Sequence, residues 1–162
     1  MPVIKQPNTI LCFLMILTFV GCATTVKAYR STEEKNLKIE SKWIANSFPN
    51  VYVSYLYVYE VDAHCQANYL GYVRLDKPLI EVGLPTRKLL QLTVEFVTTE
   101  RFSGSSTRIS YSYLLRTKPA DAYTADIQNQ EKIYKFTLLE RPGKNGTKRV
   151  VEQKQLGSCV PK

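Results

Sequence analysis

A chain of 162 residues with a formal net charge of +8, 44% hydrophobic residues and 22% charged ones has the length of one domain with a real hydrophobic core, which argues against a multi-domain assembly. One histidine and four cysteines with no CxxC pair argue against a zinc centre, since a zinc ion would need carboxylates brought in from elsewhere. The cationic excess favours anionic partners through long-range attraction and says nothing of the fold.

The first element is an export leader. Lys5 and the free amine make a positive start, and Ile10 to Val20 follow as an apolar run broken only by Thr18, which is the secretory pattern. As a helix this run would reach roughly 16 Å, about half the hydrocarbon core of a bilayer, too short to span it. It closes on Phe19-Val20-Gly21-Cys22, which resembles the lipobox of bacterial lipoproteins, with Phe19 in place of the usual Leu at the first position. The resemblance implies cleavage before Cys22, a diacylglyceryl group on its sulfur and usually an acyl chain on its amine. Two or more chains hold a protein on a membrane stably where one binds reversibly. Ala23 stands where an Asp would retain such a product at the inner membrane, so the resemblance points to the outer membrane, on its periplasmic side. An ordinary cleaved leader, giving a secreted or soluble periplasmic protein, is the alternative.

Removing residues 1–21 leaves 141 of the 162 residues and, because Lys5 is the only charge lost, +7 of the +8. Cys12 goes with the leader and Cys22 takes the lipid, so Cys65 and Cys159 remain. An even remainder in an oxidising compartment reads as one structural disulfide. Residues 22–36 are polar and lack apolar periodicity, so the lipidated cysteine is expected to be followed by a flexible tether. Ser31-Thr32-Glu33-Glu34 matches a helix capping box, yet Leu37, Ile39 and Trp43 alternate with Lys38, Glu40 and Lys42, which favours a strand from about Leu37 to Ile44 over a short helix.

Val51 to Val61 is the strongest strand signal, rich in Val and Tyr and apolar on both faces, which predicts a central strand covered on both sides. Asp62 to Gln66 connects it to a strand over Tyr69 to Leu75, and Leu79 to Leu84 forms a short one. Leu90, Leu92, Val94 and Phe96 alternate with Gln91, Thr93 and Glu95, the mark of a half-buried strand. Thr98 to Ser106 is predicted as a loop leading into Arg108 to Arg116, with Ile109, Tyr111, Tyr113 and Leu115 on one face. Tyr123 to Gln128 and Ile133 to Glu140 follow, and Pro142-Gly143-Lys144-Asn145-Gly146 turns into a return arm from Thr147 to about Gln155. Eight or nine short strands with no convincing helix predict an all-β domain over residues 37–162, an antiparallel β-sandwich or a partly closed barrel. The succession of Cys65, Gly71, Gly83-Leu84-Pro85, Tyr123 and Cys159 resembles small β-domain lipoproteins of bacterial envelopes that have no assigned function, and it imports no activity.

Asp62-Ala63-His64-Cys65 sets a thiol beside an imidazole and a carboxylate. Adjacent residues on an extended chain point to opposite faces, however, and a disulfide explains Cys65 more simply. No GxSxG, HExxH, Walker or dinucleotide fingerprint occurs, so neither catalytic residues nor a metal or cofactor is expected. Tyr55, Tyr57 and Tyr59, with Tyr52, Tyr69 and Tyr72 nearby, are candidates for an aromatic binding platform, and also fit ordinary packing on a pleated surface. Arg141, Lys144, Lys148, Arg149 and Lys154 gather near the last hairpin, where charge also keeps sheet edges from aggregating. The sequence thus predicts a lipid-anchored, non-enzymatic binding or structural accessory domain. Its expected partners are the membrane through Cys22 and anionic envelope components or another envelope protein, and nucleic acid is not among them. The alternatives are a periplasmic enzyme or ligand carrier built on the Asp62 to Cys65 loop and neighbouring tyrosines, or an immunity or inhibitor lipoprotein.

Overall fold

The computed structural model describes residues 27–42, 50–130, 133–143, 145–154 and 156–159; the expected leader over residues 1–21, Cys22, Trp43, Ile44 and Lys144 lie outside them. Nine strands occur among the described residues: β1 (Leu37–Lys42), β2 (Asn50–Val61), β3 (Ala67–Arg74), β4 (Leu79–Val82), β5 (Leu89–Glu100), β6 (Ser106–Arg116), β7 (Ala122–Gln130), β8 (Ile133–Arg141) and β9 (Arg149–Val150). β-Branched and aromatic side chains are frequent in them, above all in β2, because such side chains pack well on a pleat.

The strands build two sheets, ordered β4-β1-β7-β8-β9 and β3-β2-β5-β6, that pack as an unclosed sandwich. The all-β sandwich is therefore as expected, and the barrel alternative falls. Among the nine strands the antiparallel pattern breaks at one place, where β1 runs parallel to β7 from Leu37↔Tyr123 to Lys42↔Gln128. No short turn joins those strands, so nothing local forces them to run in opposite directions. Between the sheets, Leu56, Val58, Leu92, Val94 and Phe96 meet Ile39, Ala125, Ile127 and Leu138 in one buried cluster. Phe96 stacks on Tyr134 with ring centroids 4.9 Å apart, and Tyr113 tilts against Phe136 at 5.2 Å.

Each open side of the sandwich is sealed by a different device. On one side β9 pairs with β8 only at Leu139 and Glu140, and Val151 N–H donates to the Leu138 carbonyl at 2.8 Å. The carbonyls of Phe136 and Tyr134 accept instead from hydroxyls of β6, Tyr113 at 2.9 Å and Tyr111 at 2.6 Å. Side chains of one sheet thus satisfy the bare edge of the other, an edge that would otherwise invite a foreign strand.

On the opposite side lies the segment from Lys27 to Asn36. Tyr29 N–H donates to Tyr72 O at 2.7 Å, and Tyr72 N–H donates to Lys27 O at 3.0 Å. The Tyr29 hydroxyl reaches Gly83 O at 2.8 Å. The Asn36 amide then clamps the Leu84 backbone in both directions, at 2.9 and 2.7 Å. The flexible tether expected over 22–36 is corrected for this part: from Lys27 onward the segment straps β3 to the β1/β4 edge. Its lack of apolar periodicity misleads because hydrogen bonds, from backbone groups and from the Tyr29 and Asn36 side chains, hold it in place of an alternating apolar face. Ser31 Oγ accepts the Glu33 N–H at 3.0 Å, so the capping-box residues form a turn and start no helix.

Other differences concern strand ends. β5 runs to Glu100 and β6 starts at Ser106, which shrinks the Thr98 to Ser106 loop to residues 101–105. Polar residues there still carry the backbone ladder, and the Thr99 and Ser106 hydroxyls pair at 3.0 Å. Of the return arm expected from Thr147 to Gln155, only Arg149–Val150 is strand among the described residues. A disulfide joins Cys65 to Cys159, with Cα atoms 5.9 Å apart and a sequence separation of 94, as the cysteine arithmetic predicts.

Candidate functional site

The outer face of the β3-β2-β5-β6 sheet carries Tyr55, Tyr57, Tyr59, Tyr69 and Tyr72, whereas Tyr52 packs against the core. Because side chains alternate, Ser54, Leu56 and Val58 point into the core while Tyr55, Tyr57 and Tyr59 point out and stay half-buried. The expectation that β2 is covered on both sides is therefore corrected. Its outer residues are shielded by one another and by β3, and no second layer lies over them among the described residues. Strand register brings in the rest: Tyr57 faces Tyr72 and Tyr59 faces Tyr69 across β3, while Tyr57 faces Thr93 and Tyr55 faces Glu95 across β5.

Five rings consequently form one patch. Centroids lie 5.6 Å apart for Tyr55 and Tyr72, 5.3 Å for Tyr59 and Tyr69, 6.1 Å for Tyr55 and Tyr57, and 6.4 Å for Tyr57 and Tyr69. Contacts of this kind contribute about 0.5–1.5 kcal/mol each beyond buried area. The patch grades into a polar strip where the Thr93 and Ser112 hydroxyls pair at 3.0 Å and Arg108 approaches Glu95 at 3.9 Å. Burial and then the Glu95 carboxylate push the Tyr57 phenol up to about 12, with smaller contributions from neighbouring tyrosines. Burial and Glu95 likewise raise Tyr59, and burial with Tyr59 and Tyr72 raises Tyr69. The Tyr57, Tyr59 and Tyr69 hydroxyls are thus neutral around physiological pH and can both donate and accept.

The Asp62 to Cys65 loop is differently constituted. Asp62 Oδ1 accepts the backbone N–H groups of His64 at 2.9 Å and Gln66 at 2.8 Å, and Cys65 N–H donates to Asp62 O at 3.1 Å. Cys65 sits at φ 62°, with its sulfur in the disulfide. The carboxylate therefore shapes the turn, and the sulfur is no thiolate nucleophile. Among the described residues no group of three His, Cys, Asp or Glu side chains could hold a metal ion.

The basic set near the last hairpin divides. Arg149 makes a two-pronged pair with the buried Glu140 carboxylate, both contacts at 2.8 Å, and Lys154 lies 3.7 Å from Glu152. Together with Arg116 and Lys118 these residues line an open cleft of about 490 Å³. Arg116 and Lys118 come from the end of β6 and the loop after it, so their remoteness in sequence hid them. Cys22, the expected lipidation residue, lies outside the described residues.

Comparisons with protein-family models, with curated proteins and with solved structures gave no significant match.

Proposed function

We propose that this chain is a lipid-anchored envelope lipoprotein, held through Cys22 in the outer membrane on its periplasmic side, whose β-sandwich acts as a non-enzymatic binding or structural accessory domain. The observation that carries this reading is the fate of the cysteines. Cys65 and Cys159 are bonded to each other, Cys12 belongs to the apolar run, and the one that is left, Cys22, closes Phe19-Val20-Gly21-Cys22. The disulfide supports export, since such bonds persist in oxidising compartments. The tyrosine patch and the basic cleft supply surfaces for a partner.

Cells expressing the full chain and fed labelled palmitate are expected to place the label on this protein. Cys22→Ala is expected to lose the label and move to the detergent-free soluble fraction. An unlabelled wild type, or a Cys22→Ala variant that stays in the membrane fraction, overturns the reading.

A further inference from the structure

The position of Lys27 sets how far the domain can stand from its anchor. If Cys22 carries the lipid, five Cα-to-Cα steps separate it from Lys27, and at full extension these span about 18 Å. The twelve-residue strand β2 is by comparison roughly 40 Å long. Lys27 is itself fixed on the sheet, since its carbonyl accepts from Tyr72 N–H at 3.0 Å and from the Tyr69 hydroxyl at 3.3 Å. The leash therefore ends on the rim of the tyrosine patch, and the side that bears that patch is drawn to the bilayer.

The chemistry of that side suits the position. Tyrosine combines an apolar ring with a polar tip and is enriched where hydrocarbon meets water. Tyr69 is 38% exposed, and Tyr55, Tyr57, Tyr59 and Tyr72 form a half-buried floor beside it. The exposed Lys27 and Arg74 flank the patch, Arg74 with the Asp76 carboxylate 3.5 Å from its guanidinium, where cations gain from anionic headgroups. The outer face of the other sheet carries Lys38, Glu40, Asp126 and Lys135, a surface suited to water. Resting on the lipid anchor at Cys22, we infer that the tyrosine patch on β2 and β3 is a membrane-contact surface that lies against phospholipid headgroups and orients the domain on the bilayer.

The test uses the full chain, exported and processed in a bacterial host, then reconstituted in vesicles of phosphatidylethanolamine and phosphatidylglycerol containing a diazirine-bearing phospholipid. After illumination, peptide mapping is expected to find several-fold more label on peptides spanning residues 50–74 than on those spanning 122–141. The mass of the N-terminal peptide from the same sample reports whether Cys22 is lipidated. Even labelling, or more on residues 122–141, with Cys22 lipidated overturns the membrane-contact surface and leaves the lipoprotein reading in place. An unmodified Cys22 overturns both. Absence of label on residues 50–74, together with their protection from hydrogen exchange by soluble cell-wall glycan fragments, assigns the patch to a sugar polymer and likewise overturns the inference.

Discussion

Gly71→Ala sets a methyl group where the structure has backbone: an added Cβ would fall 2.6 Å from Tyr29 Cα, at a φ of +149° that side chains rarely adopt. The strap must lift or β3 must shift, so the variant is expected to lose about 1–3 kcal/mol. Urea denaturation measures that loss, and faster hydrogen exchange at the Tyr29 and Tyr72 amides locates it. Gly83 plays the same part at the strap's other end, where a Cβ would lie 2.4 Å from Glu33 O. Both glycines are conspicuous in the sequence, but only as breaks in a strand pattern. Nothing local tells that a polar segment forty residues upstream passes over Gly71, because a close backbone approach leaves no mark on the approaching side chains.

Most strands are legible because each buries one face, and alternation such as Leu90, Leu92, Val94, Phe96 records that. Their ends are less so. Thr98, Thr99 and Ser106 carry no apolar signal, yet their backbones complete the β5–β6 ladder. The parallel β1–β7 pair was out of reach, since the choice of a non-local partner is written in no single stretch of chain. The tyrosine patch was half legible: the alternation of Tyr55, Tyr57 and Tyr59 placed them on one face, but counting tyrosine as apolar implied a cover. The hydroxyl lets that face meet a polar surrounding without one. At this scale Tyr111 and Tyr113 also act as surrogate edge partners of β8. Tyr113→Phe leaves the Phe136 carbonyl without the bond it now accepts in a buried site, and is expected to cost about 1–2 kcal/mol. Tyr111→Phe, at a half-buried position, is expected to cost less. Equal losses in urea denaturation would show that burial does not separate the two sites, and no loss at either that water replaces both hydroxyls freely.

For the molecule as a whole, the disulfide closes a span of 94 residues that includes seven of the nine strands. In the chain-entropy picture a loop of this size contributes about 4–5 kcal/mol, and measured values commonly fall below it. Cys65→Ser/Cys159→Ser is accordingly expected to lose about 2–5 kcal/mol in urea denaturation, and reduction of the wild type should reproduce the shift. The residue arithmetic reached this bond without the fold, whereas the strap and the seal at β8 depend on contacts that only the assembled sandwich reveals.

The same bond also determines how the domain bears mechanical load. Tension applied between its two ends enters at Lys27, runs through β1 and β2 to Cys65, and crosses the covalent bridge directly to Cys159. The chain from Gln66 to Ser158 is bypassed. The first bonds loaded are the pair between Lys27, Tyr29 and Tyr72, so under force the strap would peel from β3 before β5 to β8 are strained, like a fuse at the point of attachment.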